Sequence, residues 1–359
     1  MQSESGLAGS RSDDDVVEVA LVKTNRTGLV LIVAAAAIFC LVGLAAVIFL
    51  VQHFSSPQPS AKNIEPAPAP VVKRVIDIDS EKVIEDHTAD DEIAFKIKRN
   101  PNLTFIRMKE KITDRGLSYL ANNAMLTELS LVDSEISPAG LARVPMTRLY
   151  LLSLKNCSID DTYTKTIAGF KNLNNLYLVD NPGFTDASVA PLTKLEFIVG
   201  LDYSGTGVSA KSLKYFARYS KLKALQLTGL KLDDAAISEL AKCRLLVLLG
   251  LARTGLTDKA APALVSLAGL PSLVSLNLAG NKLGDSVVEV LAKYPNLNTL
   301  DLSETDMTAK GLTKLAGLSS LKQLHLYGCK LTADEISTFK KARPDVKVVE
   351  QPMPVSSGL

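Results

Sequence analysis

The segment "LNTLDLSETDMTAKGLTKLAGLSS" at residues 297–320 is followed directly by "LKQLHLYGCKLTADEISTFKKARPD" at 321–345. It is preceded by "LVSLNLAGNKLGDSVVEVLAKYPN" at 273–296. All three open with Leu-x-x-Leu-x-Leu, and each divides into two halves of different period. In "LNTLDL", Leu300 and Leu302 point one way while Thr299, Asp301 and Ser303 point the other, the alternation of a short strand with one buried face. In "AKGLTKLAGL", Leu312, Leu315 and Leu318 fall at the spacing of an amphipathic helix. One such unit cannot bury its own apolar face, so neighbours must stack into a continuous core.

The period extends well beyond these three copies. Opening positions recur at Leu103, Leu126, Leu149, Leu173, Ile198, Leu222, Leu246, Leu273, Leu297 and Leu321, 23 to 27 residues apart, with a last echo at Val346. A cap-forming residue precedes nearly every helical half: Thr113, Ser137, Asp160, Thr185, Ser209, Asp233, Thr257, Thr308 and Thr332. Each side-chain oxygen can accept from a free N–H of the first helical turn, worth about 1 kcal/mol. Thr332 with Glu335 has the spacing of a capping box, and Pro138 follows Ser137 where proline is tolerated.

Runs such as Leu273, Leu276, Leu278, Asn281 and Leu283 resemble the leucine-rich repeat family over residues 103–350. The helical halves, "ITDRGLSYL" and "MTAKGLTKL", are most similar to its ribonuclease-inhibitor and cysteine-containing subtypes. The resemblance implies an α/β solenoid, a horseshoe with parallel strands on the concave side and helices on the convex side. It also implies partner binding on the concave face. The ninth position of each repeat is expected to turn a small polar group onto local backbone. Ser134, Cys157, Asn181, Thr206, Thr254, Asn281, Thr305 and Cys329 stand there. Cys157 and Cys329 are thus turn residues rather than reactive thiols. Leu230 breaks this ladder, and the repeat opening at Leu246 contains Pro262, so its helix is expected to be irregular. No cysteine-rich caps flank the array. Residues 72–102 are expected to cap its N-terminal end, with Val72, Ile76 and Ile78 on one face of a strand and Glu92 to Arg99 as a helix.

Outside the repeats the chain changes character. Residues 28–51 are 24 uncharged residues in a row, about 36 Å as a helix against a hydrocarbon core of roughly 30 Å. They read as a transmembrane helix and uncleaved signal anchor. Arg11, Lys23 and Arg26 precede the run and only Lys62 follows closely, which places the N-terminus in the cytoplasm. Residues 1–27 are polar and aperiodic and read as a disordered tail. Residues 52–71 carry Pro57, Pro59, Pro66, Pro68 and Pro70 and read as an extended linker. Residues 351–359 form a short tail.

Little chemistry is offered. The chain has three histidines and four scattered cysteines among its 359 residues. It has no HExxH, no GxxxxGK[ST] and no GxSxG. No catalytic residue, metal site or cofactor is expected, and the chain reads as a non-enzyme. The net charge of +2 is too small and dispersed for nucleic acid.

Surface remains. The candidate partner-binding residues on the concave strands are Phe105, Arg107, Tyr177, Asp202, Gln226, Asn277, Asp301, Gln323, His325 and Tyr327. Small residues lie between them, including Gly200, Ala224, Gly250 and Ala252, giving a smooth trough with aromatic or charged anchors towards its ends. The expectation is a single-pass membrane protein whose repeats lie outside the cytoplasm, facing the periplasm of a bacterial inner membrane. It would bind a protein or peptide, with a glycan as a further ligand class. Two alternatives stand beside it: a tethering envelope component that self-associates as a homo-oligomer, and a cytoplasm-facing adaptor with reversed topology.

Overall fold

The computed structural model describes residues 88–351. The tail, apolar run and linker read above lie outside these residues, as do Val72, Ile76, Ile78 and residues 352–359. Eleven strands pair in chain order into a single parallel sheet. They are β1 Phe105–Met108, β2 Glu128–Val132, β3 Leu151–Lys155, β4 Asn175–Tyr177, β5 Gly200–Asp202, β6 Ala224–Gln226, β7 Leu248–Gly250, β8 Ser275–Asn277, β9 Thr299–Asp301, β10 Gln323–His325 and β11 Lys347–Val349. Every strand falls in an expected strand half. Register is in step throughout, Leu129 beside Leu152 beside Leu176 beside Leu201. A slip by one residue would turn each of these leucines to solvent.

The helical halves are less regular than the strands. Ten α-helices are described: α1 Ala89–Arg99, α2 Asp114–Ser118, α3 Pro138–Leu141, α4 Thr164–Ile167, α5 Asp186–Leu192, α6 Leu213–Phe216, α7 Ala261–Ala268, α8 Asp285–Leu291, α9 Ala309–Leu315 and α10 Ala333–Ala342. Several are a single turn, because a repeat of about 24 residues leaves little chain between strands. The expectation for Pro262 is overturned. Pro262 sits in the first turn of α7, where its missing N–H has no helical partner to lose, and α7 runs regularly for eight residues. The irregular repeat is the preceding one, whose helical half is a seven-residue 3-10 helix, Ala236–Lys242, with no side-chain cap. Helix α1 begins three residues before Glu92, because Thr88 and Asp91 form a capping box there.

The core is one continuous column of repeat leucines. Leu126, Leu129, Leu149, Leu152, Leu173 and Leu176 are fully buried, as are the helical Leu117, Leu141 and Ile167. Each buried leucine contributes about 2 kcal/mol. Midway, Phe184, Tyr203 and Phe216 stack at centroid separations of 5.1 and 6.0 Å. Just beyond each of β2 to β10 the chain passes through a residue with positive φ, from Asp133, Asn156 and Asp180 to Gly205, Gly229 and Gly280. Arg253 and Glu304 also adopt it, and their side chains join at 2.7 Å. Gly280 stands between them in the array, and a Cβ there would lie 2.5 Å from Arg253 Cγ, so the ion pair needs that glycine.

Two polar ladders tie the repeats laterally. The ninth-position ladder is built as expected, with Asn181 and Asn281 buried in the turns. The second ladder was not read from the sequence. An Asp at or near the start of each of several helical halves accepts from the cap residue of the next repeat. Asp90 takes the Thr113 N–H (2.9 Å) and hydroxyl (2.5 Å). Asp114 takes those of Ser137, Asp234 those of Thr257 and Asp285 those of Thr308. Asp186 takes the Ser209 N–H and hydroxyl and also the Ser212 hydroxyl. Burial pushes the Asp186 carboxyl up, but these donors outweigh it and the net shift is downward.

Asp186→Ala is therefore expected to lower stability by about 2 kcal/mol at pH 7 in urea unfolding. The folded carboxyl titrates below the unfolded one, so its contribution is present above about pH 4 and lost as pH falls further. The wild-type and variant curves should converge in acid. A gap of constant size down to pH 2.5 would contradict the role of the ionised carboxylate.

Candidate functional site: the outer face of the sheet

The helices take one face of each strand, leaving alternate residues on the other. Register places Arg107 beside Ser130, Ser130 beside Ser153, and Ser153 beside Tyr177. The row continues through Asp202, Gln226, Gly250, Asn277, Asp301 and His325. Seven of the ten candidate residues thus share one line across ten strands. Phe105 and Gln323 lie in the parallel line two residues earlier, and Tyr327 follows β10.

Their exposure differs from the expectation. Phe105 is 54% exposed and Arg107 is exposed, while Tyr177, Asn277, Gln323 and Tyr327 are half-buried. Asp202, Gln226, Asp301 and His325 are buried and are not open contact points. Strands about 4.8 Å apart set such side chains shoulder to shoulder. Gln226 extends across Gly250, where a Cβ would lie 1.5 Å from Gln226 Oε1.

Three of these residues also have a local task. The Ser204 N–H donates to Asp202 Oδ1, the Ala279 N–H to Asn277 Oδ1 and the Ser303 N–H to Asp301 Oδ1, each at 2.9 Å. This side-chain turn draws the chain out of the strand, which explains Asp or Asn at this position without a ligand. His325 Nε2 lies 2.6 Å from Gln323 Nε2. Burial lowers the His325 pKa, opposed by Asp301. Burial raises that of Asp301, opposed by His325.

Asp202 stands apart. Its Oδ2 has no partner among the described residues, and neither does Gln226 Oε1 in the adjacent strand. Burial pushes the Asp202 carboxyl up to about 6, despite the bonds from Ser204.

A second cluster lies on the first three strands. Glu128 accepts from Arg107 Nη2 at 2.8 Å and from the Tyr150 hydroxyl. Arg107 also stands 5.8 Å from the Phe105 ring centroid. Burial and Glu128 push the Tyr150 phenol up to about 12. Tyr150, and Phe197 with Lys221 4.2 Å above its ring, were missed as surface aromatics. Tyr150 directly follows the opening Leu149 and Phe197 directly precedes the opening Ile198, and both lie before the alternating pair of buried leucines, where the pattern carries no information about facing.

Among the described residues no group of three His, Cys, Asp or Glu could hold a metal ion. A cleft of about 210 Å³ between two repeats, lined by Tyr219, Lys242, Arg244 and Leu245 among others, is smaller than the roughly 300–1,000 Å³ of ligand pockets. No helix among the described residues is long and apolar enough to cross a membrane.

Comparison with known proteins bears on the fold. A leucine-rich-repeat family model matches residues 269–292 and 295–316. No curated protein matches by sequence. An internalin from Listeria monocytogenes strain 4b F2365 matches in structure at a TM-score of 0.50 and 18% identity, over 75% of this chain and 93% of that one. Two repeats of this chain are thus leucine-rich repeats by sequence, and its eleven-stranded parallel array has the leucine-rich-repeat fold.

Proposed function

We propose that this protein is a non-enzymatic binding protein that takes a protein or peptide partner along the outer face of its sheet. The observation behind this reading is the in-register line of outer-face positions from Arg107 to His325, one per strand. Such a line matches the repeat of an extended partner. Half-exposed Tyr177 and Tyr327 and exposed Phe105 and Arg107 supply residue types that dominate interface energies. Residues 28–51 would anchor the chain in a membrane with the repeats outside the cytoplasm. A self-associating tether and a cytoplasm-facing adaptor use the same surface with a different partner or topology.

A photo-crosslinking side chain at Asn277 in cells is expected to trap a discrete adduct, and one at Lys293, beyond α8 on the helical side, is expected not to. Equal labelling at both positions would remove the outer face as the binding site, and an adduct of twice the chain mass would favour the tether. Protease shaving of intact cells bearing a C-terminal tag, with any outer envelope permeabilised, tests topology. Loss of the tag is expected, and survival until the inner membrane is broken would favour the adaptor.

A further inference from the structure

The residues just before the strands form a surface of their own. Val199, Lys223, Val247 and Val274 immediately precede β5, β6, β7 and β8. Backbone hydrogen bonds join them in a row. The Lys223 N–H donates to the Val199 carbonyl at 2.8 Å, the Val247 N–H to the Lys223 carbonyl at 2.8 Å and the Val274 N–H to the Val247 carbonyl at 2.9 Å. A second row stands two residues earlier, with Phe197, Lys221 and Leu245. Between the rows Ile198, Leu222 and Leu246 are buried, which holds both rows at the entry edge of the sheet. Lys221 Nζ, 4.2 Å from the Phe197 ring centroid, links the second row from one repeat to the next.

This edge is apolar and cationic together. Among the described residues seven large apolar side chains are exposed, and four of them, Tyr150, Phe197, Leu245 and Val274, lie in these two rows. Scattered apolar side chains on a surface are ordinary, but a patch of them rimmed by polar groups marks a contact site. Lys221 and Lys223 stand within the rows and Arg244 directly before Leu245, and all three are exposed. Among the described residues none of the three enters an ion pair.

Arg244 and Leu245 also line the cleft of about 210 Å³, with Lys242 and Tyr219. Too small for a free ligand, it has room for one side chain. Strands about 4.8 Å apart put the three cations within reach of a single extended segment. Exposed Glu196 adjoins Phe197. An anionic lipid surface would repel it, whereas a peptide can set its acids beside the cations alone.

We propose that this entry edge, from Phe197 to Val274, docks an extended acidic segment of a partner protein. Its carboxylates meet Lys221, Lys223 and Arg244, and an apolar side chain enters the cleft beside Leu245. The surface is separate from the outer face, and the inference does not rest on partner binding there.

Panning the purified full chain against a displayed library of random short peptides tests it. The recovered peptides are expected to combine Asp or Glu with apolar residues, and to bind more weakly at about 1 M salt, where the Debye length is about 3 Å. Lys221→Glu with Lys223→Glu, and separately Leu245→Asp, should each weaken that binding about 10-fold or more. These positions are exposed, so both variants should keep the parent's urea midpoint within about 0.5 kcal/mol of stability. Recovery of no acidic peptide would overturn the proposal, as would binding that survives both variants. Displacement of the peptides by phosphatidylserine vesicles would assign the edge to a lipid surface instead, and displacement by excess unlabelled chain to a second copy. A crosslinked adduct at Asn277 should persist in the Lys221→Glu, Lys223→Glu chain. Its loss there would merge the edge with the outer-face site, whereas no adduct even in the parent would remove only the outer-face reading.

Discussion

Asn181→Ala is expected to cost about 4 kcal/mol or more in denaturant unfolding. Asn181 is fully buried, and its amide satisfies four backbone groups. Oδ1 accepts from the Cys157 and Ile159 N–H groups at 3.0 and 2.9 Å. Nδ2 donates to the Leu154 and Val179 carbonyls at 2.8 and 3.0 Å. Alanine leaves those groups buried and unpaired, at roughly 1–3 kcal/mol for each one that cannot relax. Leu230 shows what relaxation requires. It is apolar at the matching position, and there the Thr206 N–H turns instead to the Tyr203 carbonyl and the Val208 N–H to Thr206 Oγ1. Cys157 offers a weaker acceptor than Thr206, so its turn has no equivalent fallback. Exposed Asn172, which donates to the Thr147 carbonyl, is the control, and its alanine variant should stay within about 0.5 kcal/mol. An Asn181→Ala loss no larger than that of Asn172→Ala would show that the ladder does not hold the turns.

The repeat period and the strands were legible because both depend on leucines at fixed spacing, and a buried leucine has one face to choose. The caps were legible for a similar local reason, since Thr113, Ser137, Thr185 and Thr308 act within three residues of themselves. What the sequence did not disclose is lateral. Asp114, Asp186 and Asp285 open their helices and read as ordinary first-turn acids, and Asp234 follows Asp233, yet each serves the cap some 23 residues later. That pairing exists only once the stacking offset between repeats is known. Pro262 was misread because proline's effect depends on its helical position, and the first turn of α7 accommodates it. The outer face was read by alternation, which gives direction and not exposure. Asp202, Gln226, Asp301 and His325 point as expected and are still buried, because whether a side chain is covered depends on its neighbours on adjacent strands.

Asp202→Asn is expected to stabilise the protein at pH 8 by roughly 3 kcal/mol and to remove a pH dependence that the parent chain shows between about pH 4 and 6. Asp202 is fully buried with its carboxyl raised to about 6, burial being the cause. The folded state therefore binds a proton that the unfolded state has already released. Stability from this residue is complete below the unfolded value near 4, falls as pH rises to about 6, and stays low above it. The carboxyls of Asp161, Asp186 and Asp285 shift the other way, so the parent's net profile mixes both signs and only the difference curve isolates Asp202. Asparagine keeps the acceptor for the Ser204 N–H and replaces Oδ2 with a donor. Gln226, in register on β6, carries its amide over Gly250 of the next strand, so Asp202 Oδ2 stays buried without a partner among the described residues. A neutral amide at that position avoids the cost of burying a charge. A difference curve flat from pH 4 to 8 would show that Asp202 is ionised and solvated in the folded protein. The outer face would then carry an open carboxylate at its centre, and a cationic group on the partner would be its natural complement.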